Sequence, residues 1–172
     1  MRLFAVSALA LATLATPAFA QEATSTFTGP RAEVVAGWDH VGSEGEGASG
    51  FTYGGALGYD AQIGRAVIGA DAEITGSTTE EGVVSAGRDL YVGGRIGFVA
   101  LPNTLVYAKG GLTNARVNVD GLGSVNTDGY RFGGGVEHNF GRFYGKVEYR
   151  YSRYEELDLN RDQVMAGLGI RF

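Results

Sequence analysis

From about residue 30 onward, apolar positions alternate with polar or glycine positions. This period of two puts successive side chains on opposite faces of a β-strand. The last segment is the clearest: Val164, Ala166, Leu168, Ile170 and Phe172 alternate with Gln163, Met165, Gly167, Gly169 and Arg171. Ala32, Val34, Ala36 and Trp38 alternate in the same way with Arg31, Glu33, Gly37 and Asp39, and Tyr53, Leu57 and Tyr59 with Thr52, Gly54 and Gly58. Carried along the chain, the template predicts about eight strands, near 30–41, 51–61, 66–76, 88–99, 105–117, 129–139, 142–153 and 160–172. The connections alternate between longer polar ones (42–50, 77–87, 118–128) and short ones (62–65, 100–104, 140–141), with a modest last loop at 154–159. That rhythm predicts an all-β, up-and-down antiparallel barrel with long loops at one end, and tight turns and both chain ends at the other. A strand of about eleven residues, rising ~3.3 Å per residue and tilted near 40°, climbs roughly 27 Å, enough to cross the apolar band of an outer membrane.

The first twenty residues read differently. Arg2 supplies a minimal positive start, Leu3 to Leu14 is an apolar stretch of signal-peptide length, and Ala18-Phe19-Ala20 is a small-residue cleavage site. A signal peptide at 1–20, cut before Gln21, and a single barrel domain at 21–172 are therefore expected. After residue 20 no apolar run reaches helix-span length, so any membrane crossing falls to strands closed into a barrel.

Composition strengthens the strand reading. All 29 glycines follow residue 20, which suits neither a helical chain nor, without a three-residue period, a collagen. The absence of cysteine excludes disulfides and thiolate metal sites. The formal charge of −5 becomes more negative once Arg2 is removed, which argues against a nucleic-acid partner.

Alternation alone fits a soluble barrel with its apolar face inward as well as a membrane barrel with its apolar face outward. Two features separate them. Gly93, Gly97, Gly133, Gly135, Gly167 and Gly169 share parity with Arg95, Arg131 and Arg171. A face turned to water has no use for such small residues, whereas a narrow lumen holds long charged side chains only among tiny neighbours. Threading the strands up and down also collects the apolar-set aromatics into two rings: Trp38, Phe51, Tyr53, Tyr130, Phe132, Tyr149 and Tyr151 toward the loops, and Tyr59, Phe98, Phe143 and Phe172 toward the turns. The polar set is expected to point inward.

On that inward parity lie about seven acids (Glu33, Asp39, Asp71, Glu73, Asp89, Glu137, Glu148) and about seven bases (Arg31, Arg95, Lys109, Arg131, Lys146, Arg150, Arg171). Charges in a narrow, poorly hydrated space must pair or cost several kcal/mol each, so an interior ion-pair network is expected. Its members are Asp71, Glu73, Arg95, Lys109, Arg131, Glu137, Lys146, Glu148 and Arg150, with Asp71 on the adjacent strand as the partner of Arg95. The alternative is a narrow porin-like channel whose pairs swap partners. Asp71 and Glu73 as a catalytic pair is weaker, because two acids two apart are what any lumen stripe offers. A lipid hydrolase would have its foothold at His40 and Ser43, oriented by Asp39 or Glu44 if the loop bends suitably. His138 is expected at the turn-side interface, and two scattered histidines make no metal site; no cofactor is implied. Gly133-Gly134-Gly135 lies within a strand with no helix after it, so it is not a phosphate loop. The acids Glu44, Glu46, Glu80, Glu81, Glu155, Glu156 and Asp158 read as solvated outer-loop faces, or as sites where divalent cations bridge to lipopolysaccharide phosphates.

Several segments resemble the small eight-stranded outer-membrane barrels related to the OmpA transmembrane domain, in particular the alphaproteobacterial surface-antigen and opacity-like proteins. They are Gly87-Arg88-Asp89-Leu90-Tyr91-Val92-Gly93-Gly94-Arg95, Tyr107-Ala108-Lys109-Gly110-Gly111, Gly133-Gly134-Gly135-Val136-Glu137, Val147-Glu148-Tyr149-Arg150-Tyr151 and the closing Gly167-Leu168-Gly169-Ile170-Arg171-Phe172. The resemblance implies a structural or surface protein of the cell outer membrane and not an enzyme. It further implies contact with outer-membrane lipid and lipopolysaccharide, and assembly by the barrel-insertion machinery, which reads an aromatic C-terminus such as Phe172. No peptidoglycan-binding domain follows Phe172, so cell-wall anchoring in that family's manner is not expected.

Overall fold

The computed structural model describes residues 27–43, 46–78, 80–81, 84–119, 123–154 and 159–172; the expected signal peptide lies outside them. The strands are β1 (Gly29–Ser43), β2 (Glu46–Ile63), β3 (Ala66–Ser77), the two-residue β4 (Glu80–Glu81), β5 (Val84–Leu101), β6 (Thr104–Val119), β7 (Gly123–Phe140), β8 (Phe143–Tyr154) and β9 (Leu159–Arg171). Each long strand pairs antiparallel with its neighbours in the order β3-β2-β1-β9-β8-β7-β6-β5, and β3 pairs with β5 to close the ring. The fold is thus a closed eight-stranded up-and-down antiparallel barrel. No helix among the described residues is long and apolar enough to cross a membrane, and here the strands do so.

Closure turns the alternation into two faces. Val34, Trp38, Leu57, Ile68, Val92, Ile96, Leu112, Phe132, Val147, Val164 and Leu168 are all exposed, while the charged residues between them are buried in the lumen. A protein whose large apolar side chains face out and whose charges face in is matched to lipid outside and polar filling inside. The short connections are two-residue turns. Gly64 and Gly141 take positive φ at the first position (62° and 71°), which a II′ hairpin turn requires, and Asn103 takes it after Pro102 (62°), as in a type II turn.

The strands outrun the predicted boundaries at the loop end. β2 starts at Glu46 rather than near 51, β5 at Val84 rather than near 88, and the β6–β7 ladder runs to Val119 and Gly123. Beyond the membrane, lipid no longer imposes apolar-out alternation, so the ladders continue as hairpin ribbons that carry no period-two signal.

At the turn end the chain enters the barrel before β1 begins. Phe27 is fully buried against Val67, Leu105 and Tyr107, with Val99 packed alongside. Its backbone N–H donates to the Gln62 side chain (3.1 Å), the Gln62 N–H donates to the Thr28 hydroxyl (3.0 Å), and the Arg171 guanidinium lies 5.7 Å from the Phe27 ring centre. This apolar stopper in the turn-side mouth has no periodic sequence signal, since Phe27 precedes the first strand.

The two-faced arrangement predicts that Leu168→Arg, on the lipid face, destabilises the barrel by roughly 2–4 kcal/mol near mid-membrane. Reversible unfolding in lipid vesicles measures this, and a neutral result would mean that Leu168 does not face hydrocarbon.

Candidate functional site

The glycines of the polar set make the lumen possible. A Cβ on Gly169 would lie 2.3 Å from the Tyr144 ring, and one on Gly93 would lie 2.1 Å from the Tyr91 hydroxyl. In both cases a long inward side chain occupies volume that a glycine leaves empty, on the neighbouring strand for Tyr144 and two residues along the same strand for Tyr91. Among the described residues, eight acids (Glu33, Asp39, Asp60, Asp71, Glu73, Asp89, Glu137, Glu148) and eight bases (Arg31, Arg95, Lys109, Arg131, Lys146, Arg150, Arg161, Arg171) project into that volume, all buried. Four tyrosines, Tyr91, Tyr107, Tyr144 and Tyr154, fill the space between them.

Near the turn end, Arg95 clasps Asp60 with two bonds (Nε to Oδ1 2.8 Å, Nη2 to Oδ2 2.6 Å) and donates to Glu137 at 2.9 Å. Arg171 bonds the same two acids at 2.6 and 2.7 Å, and Arg31 reaches Asp60 at 3.1 Å. At mid-height Arg31 contacts Asp71 and lies 3.4 Å from Glu33, which takes Lys146 at 2.5 Å and the Tyr144 hydroxyl at 2.8 Å. Glu148 accepts from Arg150 and from the Tyr107 hydroxyl (2.5 Å) and pairs with Lys146 (3.4 Å). Arg150 grips Glu73 with two bonds, at 2.5 and 2.7 Å. Toward the loops, Asp89 takes Arg131 (2.5 Å), the Thr113 hydroxyl (2.5 Å) and the Tyr154 hydroxyl (3.0 Å), while Arg161 bonds Asp39 at 2.6 Å and lies 3.5 Å from Asp89. Arg131 is also 3.6 Å from Glu73. These links join the tiers into one connected network running from Glu137 at one end to Asp39 at the other. Lys109 is its loosest member: it sits over the Tyr91 ring at 4.5 Å, with Glu148, Glu73 and Asp71 at 3.4, 3.8 and 4.0 Å.

All nine network residues named from sequence lie in this lumen, with one correction of partner. Arg95 pairs with Asp60 and Glu137, whereas Asp71 contacts Arg31. The register explains it. Asp60, Gly69 and Arg95 form one cross-strand row over β2, β3 and β5, and a Cβ on Gly69 would lie 2.1 Å from an Asp60 carboxylate oxygen. The missing side chain lets the acid and the arginine meet over β3. Asp60 and Arg161 escaped sequence reasoning because both sit at strand ends, where parity is hardest to extend; the inward tyrosines were legible from sharing parity with Asp89, Lys109 or Glu148 on their own strands.

Of the hydrolase foothold, the structure describes the side chains of Asp39 and His40, and these point to opposite faces. Asp39 turns inward to Arg161, while His40 turns outward, its Nδ1 3.0 Å from the Ser49 hydroxyl. Among the described residues no carboxylate bonds the His40 ring. The side chain of Ser43, like Glu44, lies outside the described residues. So do Glu155, Glu156 and Asp158; for Glu46, Glu80 and Glu81 only the backbone is described, and it belongs to strands. His138 sits near the turns, its Nδ1 2.8 Å from the Thr104 hydroxyl.

The network predicts that Arg95→Ala, which removes three bonds from Asp60 and Glu137 and leaves that buried tier one positive charge short, costs on the order of 3–5 kcal/mol in reversible unfolding. Asp71→Asn in the same background should recover none of that loss, because Asp71 is not a partner of Arg95.

Comparison with known proteins agrees with this architecture. The neisserial surface protein NspA aligns with a TM-score of 0.65 at 18% identity, over 84% of this chain and 98% of that one. Ail, the attachment invasion locus protein of Yersinia pestis, gives 0.60 at 18% identity, over 84% and 99%. The N-terminal β-barrel domain of Pseudomonas aeruginosa OprF gives 0.56 at 18% identity, over 83% and 97%. Among curated proteins, none matches the sequence. The model of the outer membrane protein beta-barrel domain matches residues 6–172, and the chain belongs to that family and to the outer membrane.

Proposed function

We propose that this protein is a structural surface barrel whose lumen is closed by its own side chains and whose loops face the exterior. The observation that carries this reading is the connected set of eight acids and eight bases, balanced in formal charge and buried from Glu137 to Asp39. An ion crossing such a lumen would have to displace two bidentate arginine–carboxylate pairs, Arg95–Asp60 and Arg150–Glu73, and the other ion pairs that link them, and each resists opening because buried charges would lose contacts that little water can replace. Phe27 adds an apolar stopper at the turn-side mouth. The lipid face and its aromatic rings suit outer-membrane lipid and lipopolysaccharide as surroundings, after removal of a signal peptide near Ala20. Phe172, exposed at the end of the chain, suits the role of a signal read by the barrel-assembly machinery.

A narrow channel is the second reading, favoured by Lys109, whose ion pairs are no closer than 3.4 Å and whose movement would cost the fewest bonds. Planar-bilayer recording separates the two. The wild-type protein should show almost no ionic conductance, and Arg95→Ala should show more, with reduced stability. Substantial cation-dependent conductance in the wild type would instead support the channel.

Assembly provides a separate test. Deleting Phe172 should lower the yield of inserted protein in cells more than it lowers the stability of the barrel refolded in detergent, and equal insertion of truncated and full-length chains would remove the signal role.

A further inference from the structure

Inside the barrel, Asp60 and Arg95 meet across Gly69. On the outside of the same three strands, nearer the loops, the pattern recurs: Tyr53 on β2, Gly76 on β3 and Arg88 on β5 form one cross-strand row with a glycine in the middle. Here, however, no described residue fills the gap. Among the described residues, a Cβ on Gly76 would meet no atom closer than 3.8 Å, and the atoms it met would belong to the Tyr53 ring and hydroxyl. Unlike the inward glycines, Gly76 is not needed to accommodate a protein side chain. Around it lies a groove of 450 Å³ lined by Tyr53, Gly55, Ile74, Gly76, Ser77 and Arg88.

The chemistry of the walls is divided. Ile74, half exposed, and Gly55 give an apolar stretch on the membrane side, continuous with the exposed Leu57. Arg88 stands exposed at the loop side, and among the described residues neither its guanidinium nor the Tyr53 hydroxyl has a hydrogen-bond or ion-pair partner. A cation and a hydroxyl above an apolar trough match a molecule with an anionic head and acyl chains. At the loop end of the barrel, that molecule comes from the outer leaflet.

We propose that the Tyr53–Gly76–Arg88 notch binds the phosphorylated glycolipid of the outer leaflet, with a lipid A-type phosphate on Arg88 and an acyl chain along Gly55 and Ile74. Arginine offers a phosphate two parallel donors, and the absent side chain at Gly76 lets the phosphate approach the sheet. The inference rests on the orientation of the surface barrel and not on whether the lumen conducts, so the two readings fail by different measurements.

The test uses the full-length protein in mixed micelles with diphosphoryl lipid A or with phosphatidylglycerol, and reads lipid retention by native mass spectrometry. Folding of each variant is checked by the gel-mobility shift on heating. The wild type should retain lipid A in preference to phosphatidylglycerol. Arg88→Ala should weaken that retention by about tenfold, the loss expected for one charge-assisted contact. Gly76→Phe, which fills the notch and keeps the charge, should weaken it comparably, while Arg142→Ala, at an exposed turn on the opposite end, should leave it unchanged. Equal retention of the two lipids by the wild type, or undiminished retention by Arg88→Ala, would overturn the proposal. Loss in Arg88→Ala without loss in a folded Gly76→Phe would assign binding to the charge alone and overturn the notch.

Discussion

In hydrocarbon there is no water to bond a backbone N–H or C=O, so the pairing of β3 with β5 is the contact on which the rest depends. With eight strands, that closure leaves an interior only wide enough for side chains to fill. Once the ring is shut at this size, the interior has to be both small and polar. The glycines and the ion pairs are two answers to that single condition. Gly93 and Gly169 surrender volume to Tyr91 and Tyr144, and the charges that occupy the remainder must neutralise one another locally because little solvent can do it for them.

This condition also explains why the acids and bases are shared rather than matched one to one. Asp60 serves Arg31, Arg95 and Arg171, and Glu148 serves Lys109, Lys146 and Arg150. Each guanidinium has five N–H donors and each carboxylate about four acceptor sites, so full satisfaction in a crowded tube requires partners on several strands. The shared acids therefore tie strands that are not neighbours in the sheet: Glu73 on β3 is held by Arg150 on β8, across the lumen.

Most of the architecture was legible because lipid and lumen impose opposite demands on alternate residues. Leu168 and Gly167, or Val92 and Gly93, declare their faces by parity alone. What parity could not supply was partnership. That Arg95 reaches Asp60 rather than Asp71 depends on register and on the gap at Gly69, which are properties of three strands together. Strand ends were equally opaque: outside the membrane the alternation lapses, so the extensions of β2, β5 and β7 and the inward turn of Phe27 left no periodic trace.

The equality of acids and bases in the lumen has a mechanical consequence. A single elementary charge moved across a membrane potential gains or loses about 2.3 kcal/mol per 100 mV. With eight of each sign in their ionised forms, and each linked to neighbours of opposite sign, the pull on the cations is opposed by an equal pull on the anions to which they are bonded. The interior as a whole is therefore insensitive to voltage: an applied field stretches the network's internal dipoles without driving it along the barrel axis.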